Sequence, residues 1–242
     1  MRLSHMLDVF IGWDPREAIV ADVCRYSILR RTNNNTVKVH EIRLDEMRGK
    51  GLYNRRHKQR DGQLWDEISD APMSTEFAIS RFLTPLIAKS DWAVFCDCDF
   101  LWLEDINNLL ALADEKYAVM CVKHHHVPTE THKMDAQAQT KYHRKNWSSM
   151  MLWNTRHDAN RRLTLEDING LPGRELHRFC WLQDSEIGEI PIEWNWLEGI
   201  SDPSVNPKVI HYTRGGPWFQ EWQNVAYADQ WTNELNAMRE AA

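Results

Sequence analysis

Trp92-Ala-Val-Phe-Cys-Asp97-Cys-Asp99-Phe-Leu-Trp-Leu103 is an apolar run broken by an Asp-x-Asp. Strands buried on both faces of a sheet read as continuous apolar runs, and carboxylates in such a place are costly unless paired or bound to a cation. On a strand, Asp97 and Asp99 would project to one face. Two neighbouring oxygen ligands suit a hard divalent ion whose coordination is completed by substrate phosphates. The triplet is common by chance, but it occurs once in this chain, after a strand and before Leu103-Glu-Asp-Ile-Asn-Asn-Leu-Leu110. That segment reads as the opening of a helix capped by Asp105 or Asn107. The bland alternative is a strand-to-helix turn with two solvated aspartates. The apolar context favours a metal-dependent enzyme acting on a phosphorylated donor.

Outward from this run, Leu7–Gly12 is a short apolar strand and Val37–Ile42 a second. Between them, residues 16–31 place Ala18, Val20, Val23, Tyr26, Ile28 and Leu29 at helical spacing. Strand, helix, strand predicts a βαβ unit in a parallel sheet. Residues 75–89 predict a helix capped by Ser74 and kinked at Pro85. A helix over 105–114, strands over 117–122 and 148–154, helical turns over 164–179, short strands over 187–192 and 208–211, and an amphipathic helix over 219–240 complete the reading. Residues 47–63 are basic and aperiodic, which predicts a loop, with the charged run 55–60 as a solvated face. Residues 123–146 are polar and aperiodic and predict a lid that closes over donor or acceptor. Within it, His124-His125-His126 tempts a metal reading, but adjacent histidines point in different directions. The class is α/β, a mostly parallel sheet flanked by helices, in one domain over residues 7–242. Residues 1–6 resemble a vector-derived leader.

The chain has 242 residues and a formal charge of −6, which argues against a nucleic-acid binder relying on a basic surface. Its apolar runs are far short of a membrane span, and no secretory signal is visible, so a cytoplasmic protein is expected. The five cysteines contain no Cys-x-x-Cys pair and are expected as buried free thiols. Most of the twelve tryptophans are expected in the core, a few stacking on sugar rings.

Six blocks, in order, resemble nucleotide-sugar glycosyltransferases of the GT-A (Rossmann-like) fold, most nearly glycosyltransferase family 8. They are Val9-Phe-Ile-Gly-Trp-Asp14, Ser74-Thr-Glu-Phe-Ala-Ile-Ser-Arg81, Phe95-Cys-Asp97-Cys-Asp99, Trp147-Ser-Ser-Met-Met-Leu-Trp-Asn154, Leu182-Gln183-Asp184 and Val209-Ile-His211-Tyr-Thr-Arg-Gly215-Gly216-Pro-Trp218. The resemblance covers most of residues 8–222. It departs at Gly216, where the family has a lysine, leaving Arg214 to supply the charge. It departs also at Trp147-Ser148-Ser149, where Asn-Ala-Gly is common, and at Leu182, where an acid is usual.

The resemblance implies transfer of a sugar from a nucleotide diphosphate sugar, a UDP-sugar, to a glycan or small-molecule acceptor, with retention of configuration. It makes Asp97, Asp99 and His211 the metal ligands. Two carboxylates and an imidazole favour Mn²⁺, with Mg²⁺ as the alternative. Asp14, Arg81, Asp97, Gly215, Gly216 and Trp218 are implied on the nucleotide diphosphate, with Arg81 as a bidentate cation and the glycine pair allowing close backbone approach. Gln183 and Asp184 are implied at the anomeric carbon, where Gln183 stabilises charge. Two other classes compete. A sugar-1-phosphate nucleotidyltransferase would carry a glycine- and lysine-rich loop after the first strand, where this chain has Gly12-Trp-Asp-Pro-Arg16. A non-catalytic carbohydrate-binding protein would not need the Asp97, Asp99 and His211 set.

Overall fold

The computed structural model describes residues 6–32, 36–124, 144 and 146–241. In chain order the elements are β1 (Leu7–Gly12), α1 (Ala18–Leu29), β2 (Val37–Ile42), α2 (Leu44–Gly49), β3 (His57–Arg60), β4 (Gln63–Asp66), β5 (Ala71–Met73), α3 (Thr84–Ile87), β6 (Trp92–Cys96) and β7 (Phe100–Trp102). They continue as α4 (Asn107–Leu110), β8 (Val119–Cys121), β9 (Met150–Asn154), α5 (Leu165–Gly170), α6 (Gly173–His177), β10 (Ile187–Glu189), β11 (Trp196–Leu197), β12 (Val209–His211) and α7 (Ala228–Glu240).

The main sheet runs β10-β8-β9-β6-β1-β2. β1 lies parallel between β2 and β6, β10 is parallel to β8, and β9 runs antiparallel to both its neighbours. Every residue of β1 is buried, as a strand covered on both faces requires. Side chains of this sheet and the elements packed on it form the larger core. All twelve tryptophans are buried or half-buried, and Trp102, Trp153 and Trp194 are among the largest fully enclosed side chains.

A second sheet, β11-β12-β7, carries the smaller core of Val23, Leu101, Trp196, Ile210, Tyr212 and Trp231, which joins it to α1 and α7. It also positions the site. β7 begins directly after Asp99, and β12 pairs with it antiparallel, His211 opposite Phe100. A tertiary pairing of residues more than a hundred positions apart thus brings the histidine to the Asp-x-Asp.

Several expectations are corrected. Asp97 and Asp99 stand in the turn between β6 and β7, past the strand end, so strand alternation is not what aligns them. A strand, β7, follows them, and the expected helix over 105–114 shrinks to α4. The span 47–63 is not a loop: it holds the end of α2 and the hairpin strands β3 and β4, which with β5 make a third, antiparallel sheet. Nor is the 55–60 run uniformly solvated, since Arg55 is buried against Asp66. Residues 75–89 form turns, a 3-10 segment and α3, and Ser74 caps no helix. Pro85 lies in the first turn of α3; its missing N–H would have met the Arg81 carbonyl, which the Thr84 hydroxyl satisfies at 2.8 Å. Cys180 is exposed, while the other four thiols are buried. The expected 219–240 helix begins only at Ala228. Residues 125–143, which make up most of the expected lid and include His125 and His126, lie outside the described residues, as do residues 1–5.

Candidate metal centre

β1 and β6 are neighbours, and ligands of open α/β sheets bind beyond the carboxyl ends of strands where the connections part. There the chain turns at Asp14 after β1 and at Asp97 after β6. The Asp97 turn is pinned by its backbone N–H to the Ser149 carbonyl at 2.9 Å, and Asp99 by the Tyr212 N–H donating to its carbonyl at 3.0 Å. One ligand atom each from Asp97, Asp99 and His211 lies within 4.8 Å of the others.

The tautomer of His211 follows from its hydrogen bonds. The Ser149 hydroxyl donates to the Asn146 carbonyl at 2.7 Å, so it can only accept from Asn195, 2.9 Å away, which must present Nδ2. Asn195 therefore offers Oδ1 to His211 Nδ1 at 3.0 Å, and Nδ1 carries the proton. In the neutral ring Nε2 is then the lone-pair atom; among the described residues it makes no hydrogen bond, and it stands 3.4 Å from an Asp99 oxygen. His211 is 1% exposed and its ring stacks on Phe100, so it cannot swing to water. An imidazole lone pair facing two carboxylates in a buried turn fits a divalent cation, and the two hard oxygens with one nitrogen fit Mn²⁺ or Mg²⁺.

Arg81 is the built-in counter-charge. It is 6% exposed, contacts an Asp97 oxygen at 2.7 Å, and donates to the Ala78 and Ser148 carbonyls at 3.0 and 2.9 Å. The rings of Phe77 and Phe95 flank it. Phe77 approaches so closely because residue 12 is glycine: a Cβ there would stand 2.3 Å from the ring.

A cleft of about 230 Å³ opens over the centre, with Arg16, Arg81, Arg214 and Gly215 on its walls. Asp14 is not among its lining residues. Its carboxyl is fully buried and accepts hydrogen bonds from the Arg16 side chain and from the Arg16 and Glu76 N–H groups. Burial alone would raise its pKa, but these bonds hold it below the usual carboxylate value. Asp14 thereby aims Arg16, which meets the cleft in its place. Arg214 pairs with Glu198 at 3.1 Å, and its guanidinium rests where a Cβ of Gly199 would be. Gly215 has φ 118°, and a Cβ at Gly216 would stand 2.2 Å from the Trp218 ring. Cys98, between the two aspartates, is held as a thiol: burial and the nearby Glu17, Asp99 and Asp97 carboxylates raise its pKa.

Gln183 and Asp184 stand in an exposed 3-10 turn before β10, with Asp184 ion-paired to Arg144, and are not among the residues that line this cleft. Asn195 and Arg16 were not among the sequence-predicted site residues. The signal for Asn195 was a polar residue embedded in Trp194-Asn-Trp196-Leu197, and for Arg16 its place just past the first strand.

No family model matches the sequence. The chain is 48% identical to Protein CDI of Arabidopsis thaliana over 233 residues, 94% of this chain and 85% of that one. Among solved structures it is similar to the bifunctional glycosyltransferase WbbM (TM-score 0.63, 16% identity), covering 97% of this chain and 50% of that one, so it spans about half of WbbM. It is similar also to the galactosyltransferase LgtC, solved with donor and acceptor sugar analogues (0.59, 14%, 95% of both chains). A third is the glycosyltransferase GlyE of Streptococcus pneumoniae (0.58, 13%), covering 95% of this chain and 60% of that one. The fold is that of the GT-A glycosyltransferases.

Proposed function

The chain belongs to the family of Protein CDI of Arabidopsis thaliana and has the GT-A fold, and from that premise we propose that it is a metal-dependent glycosyltransferase. It takes a sugar from a nucleotide diphosphate sugar, a UDP-sugar in this reading, and passes it to a glycan or small-molecule acceptor with retention. The observation that carries the proposal is the convergence of Asp97, Asp99 and the lone-pair Nε2 of His211 beyond the carboxyl ends of β1 and β6. A nucleoside diphosphate leaves with developing negative charge that must be met in the transition state. A divalent cation, Mn²⁺ or Mg²⁺, held by these three side chains would supply that charge neutralisation. Around it, Arg16 and Arg214 line the cleft as fixed cations for the diphosphate, and Gly215 lets backbone approach it. Arg81 keeps Asp97 oriented. Gly216 and Trp218 are not among the lining residues; they pack on each other next to Gly215 and Phe219, which are.

Retention rests on the family resemblance, in which Gln183 and Asp184 flank the donor sugar and the leaving phosphate takes the acceptor proton. No helix among the described residues is long and apolar enough to cross a membrane. The deciding experiment is a hydrolysis screen across nucleotide sugars with and without Mn²⁺. One sugar class turned over only with the cation is expected; turnover of none, or turnover unaffected by EDTA, refutes the reading. Proton NMR of the product then reads the anomeric configuration.

A further inference from the structure

A second cavity, open and about 560 Å³, lies between α2 and the β3-β4-β5 sheet, outside the metal centre. Its foundation is Arg55, 2% exposed, whose guanidinium is fully engaged: two bonds to Asp66 at 2.7 and 2.6 Å and two to the Ile168 and Leu171 carbonyls. The groups around the opening are different. Arg48 Nη2 donates to the Arg55 carbonyl at 3.0 Å and to His57 Nδ1 at 2.9 Å. An arginine only donates, so His57 Nδ1 accepts, the ring is neutral, and its proton sits on Nε2. Burial and the Arg48 charge both hold the His57 pKa below its usual value, in agreement with that tautomer. The remaining donors of Arg48, and the whole guanidinium of Arg56, have no partner among the described residues.

Tyr53 adds a fourth group. It is 2% exposed, it lines the cavity, and its hydroxyl has no hydrogen-bond partner among the described residues. The hydroxyl is not among the enclosed polar atoms that lack a partner, so it reaches the open cavity and adds a donor to its wall. The set is rich in donors: two guanidinium groups with free N–H bonds, one imidazole N–H and one phenol. The one carboxylate on the wall, Glu67, faces Lys58 at 4.0 Å. Donors of this kind match a tetrahedral oxyanion, and arginine pairs match it best.

We propose that this cavity is a second oxyanion site that takes the phosphoryl group of an organic phosphate monoester, distinct from the diphosphate site over Asp97 and Asp99. It borders the metal cleft. Arg48 is near enough to Glu76 to oppose the rise that burial and Asp14 impose on that carboxyl, and β5 runs from the cavity's sheet straight into Ser74 and Thr75 of the cleft wall. The site rests on its own residues and stands whether or not sugar transfer is the reaction.

The test is to follow the His57 ring signals of the intact protein by NMR, in EDTA, while titrating inorganic phosphate and, separately, glucose 6-phosphate. A saturable shift with both, tighter for the monoester, is expected. Arg56→Ala should weaken it about tenfold, the loss of one charge-assisted contact. Tyr53→Phe, which removes only the hydroxyl, should weaken it several-fold. Asp99→Ala should leave it unchanged. No saturable shift, or a shift untouched by Arg56→Ala and Tyr53→Phe, overturns the site. Binding of inorganic phosphate with no gain for the monoester overturns the ligand class.

Discussion

Asn195→Ala separates a side chain that fixes the His211 lone pair from one that only fills space. Asn195 is fully buried and makes two hydrogen bonds, to His211 Nδ1 at 3.0 Å and to Ser149 Oγ at 2.9 Å. Truncation leaves a buried N–H and a buried hydroxyl acceptor without partners, at about 1 to 2 kcal/mol each, so about 2 to 4 kcal/mol of stability is lost. For a chain of this size each kcal/mol is about 2 to 4 °C in Tm, so a fall of about 4 to 16 °C is expected by calorimetry. The functional consequence is separate. Without the carbonyl of Asn195, His211 is free to carry its proton on Nε2, where it hydrogen-bonds Asp99 and no longer offers a lone pair. Loss of such a partner typically costs about 10 to 100-fold in metal affinity.

Titration of Mn²⁺ into the folded variant, well below its Tm, reads this directly. Asn195→Asp is the informative control. It keeps the acceptor for Nδ1–H, so metal affinity should stay closer to wild type. It also sets a carboxylate oxygen against the Ser149 acceptor, so stability should still fall. Ser149→Ala removes the group that dictates the amide orientation and should give a smaller loss of affinity than Asn195→Ala. If Asn195→Ala loses stability but binds Mn²⁺ as the wild type does, the tautomer argument is wrong and Asn195 is structural only.

Asp99→Ala should abolish cation-dependent donor hydrolysis while its Tm stays at or above wild type in EDTA, because a carboxylate is removed from beside Asp97; full activity in the variant would sink the metal assignment. Gly216→Ala forces the Trp218 ring away from a 2.2 Å approach and should cost about 1 to 3 kcal/mol, read by urea denaturation; an unchanged midpoint would contradict that contact. Stability against pH should fall in two stages. Burial and the charges of Arg81 and Arg55 depress the pKa of His177, so its contribution is complete above the unfolded value of about 6.5 and is lost as pH drops below it, by up to about 1.4 kcal/mol per pH unit. Hydrogen bonds outweigh burial and lower the carboxyls of Asp8, Asp14 and Asp66, so their contribution is complete above about 3.8 and is lost as pH drops through their folded values. Tm measured from pH 8 to 3 should show both stages, and His177→Gln should flatten only the first; a Tm constant from pH 7 to 5 in the wild type would refute the His177 account.

The parts of the fold that were legible from sequence are those whose residues face a single environment along their length. β1 and β6 are runs set by burial, the edge strand β2 shows its apolar Val37, Val39 and Ile42, and α1 shows an apolar stripe because one side of it packs on β1, β7 and α7. The third sheet was hidden because its strands are three or four residues long and β3 is largely exposed, so a period of two has no room to show. Arg55 was misread for a related reason: in sequence it is one of several charges, and only the Asp66 hairpin partner and the carbonyls at the end of α5 distinguish it from Arg56. Residues 75–89 carry helical spacing, yet the chain there must deliver Phe77 to Gly12 and Arg81 to Asp97, and those contacts override propensity. At the site, the Asp-x-Asp was visible because a carboxylate at the end of an apolar run needs a reason wherever it occurs. What could not be read is the tautomer of His211. It depends on a relay from the Asn146 carbonyl through Ser149 and Asn195 that spans two sheets. Each link in that relay has an ordinary local sequence; the chemistry appears only when the register of β12 on β7 brings the last of them to the first metal ligands.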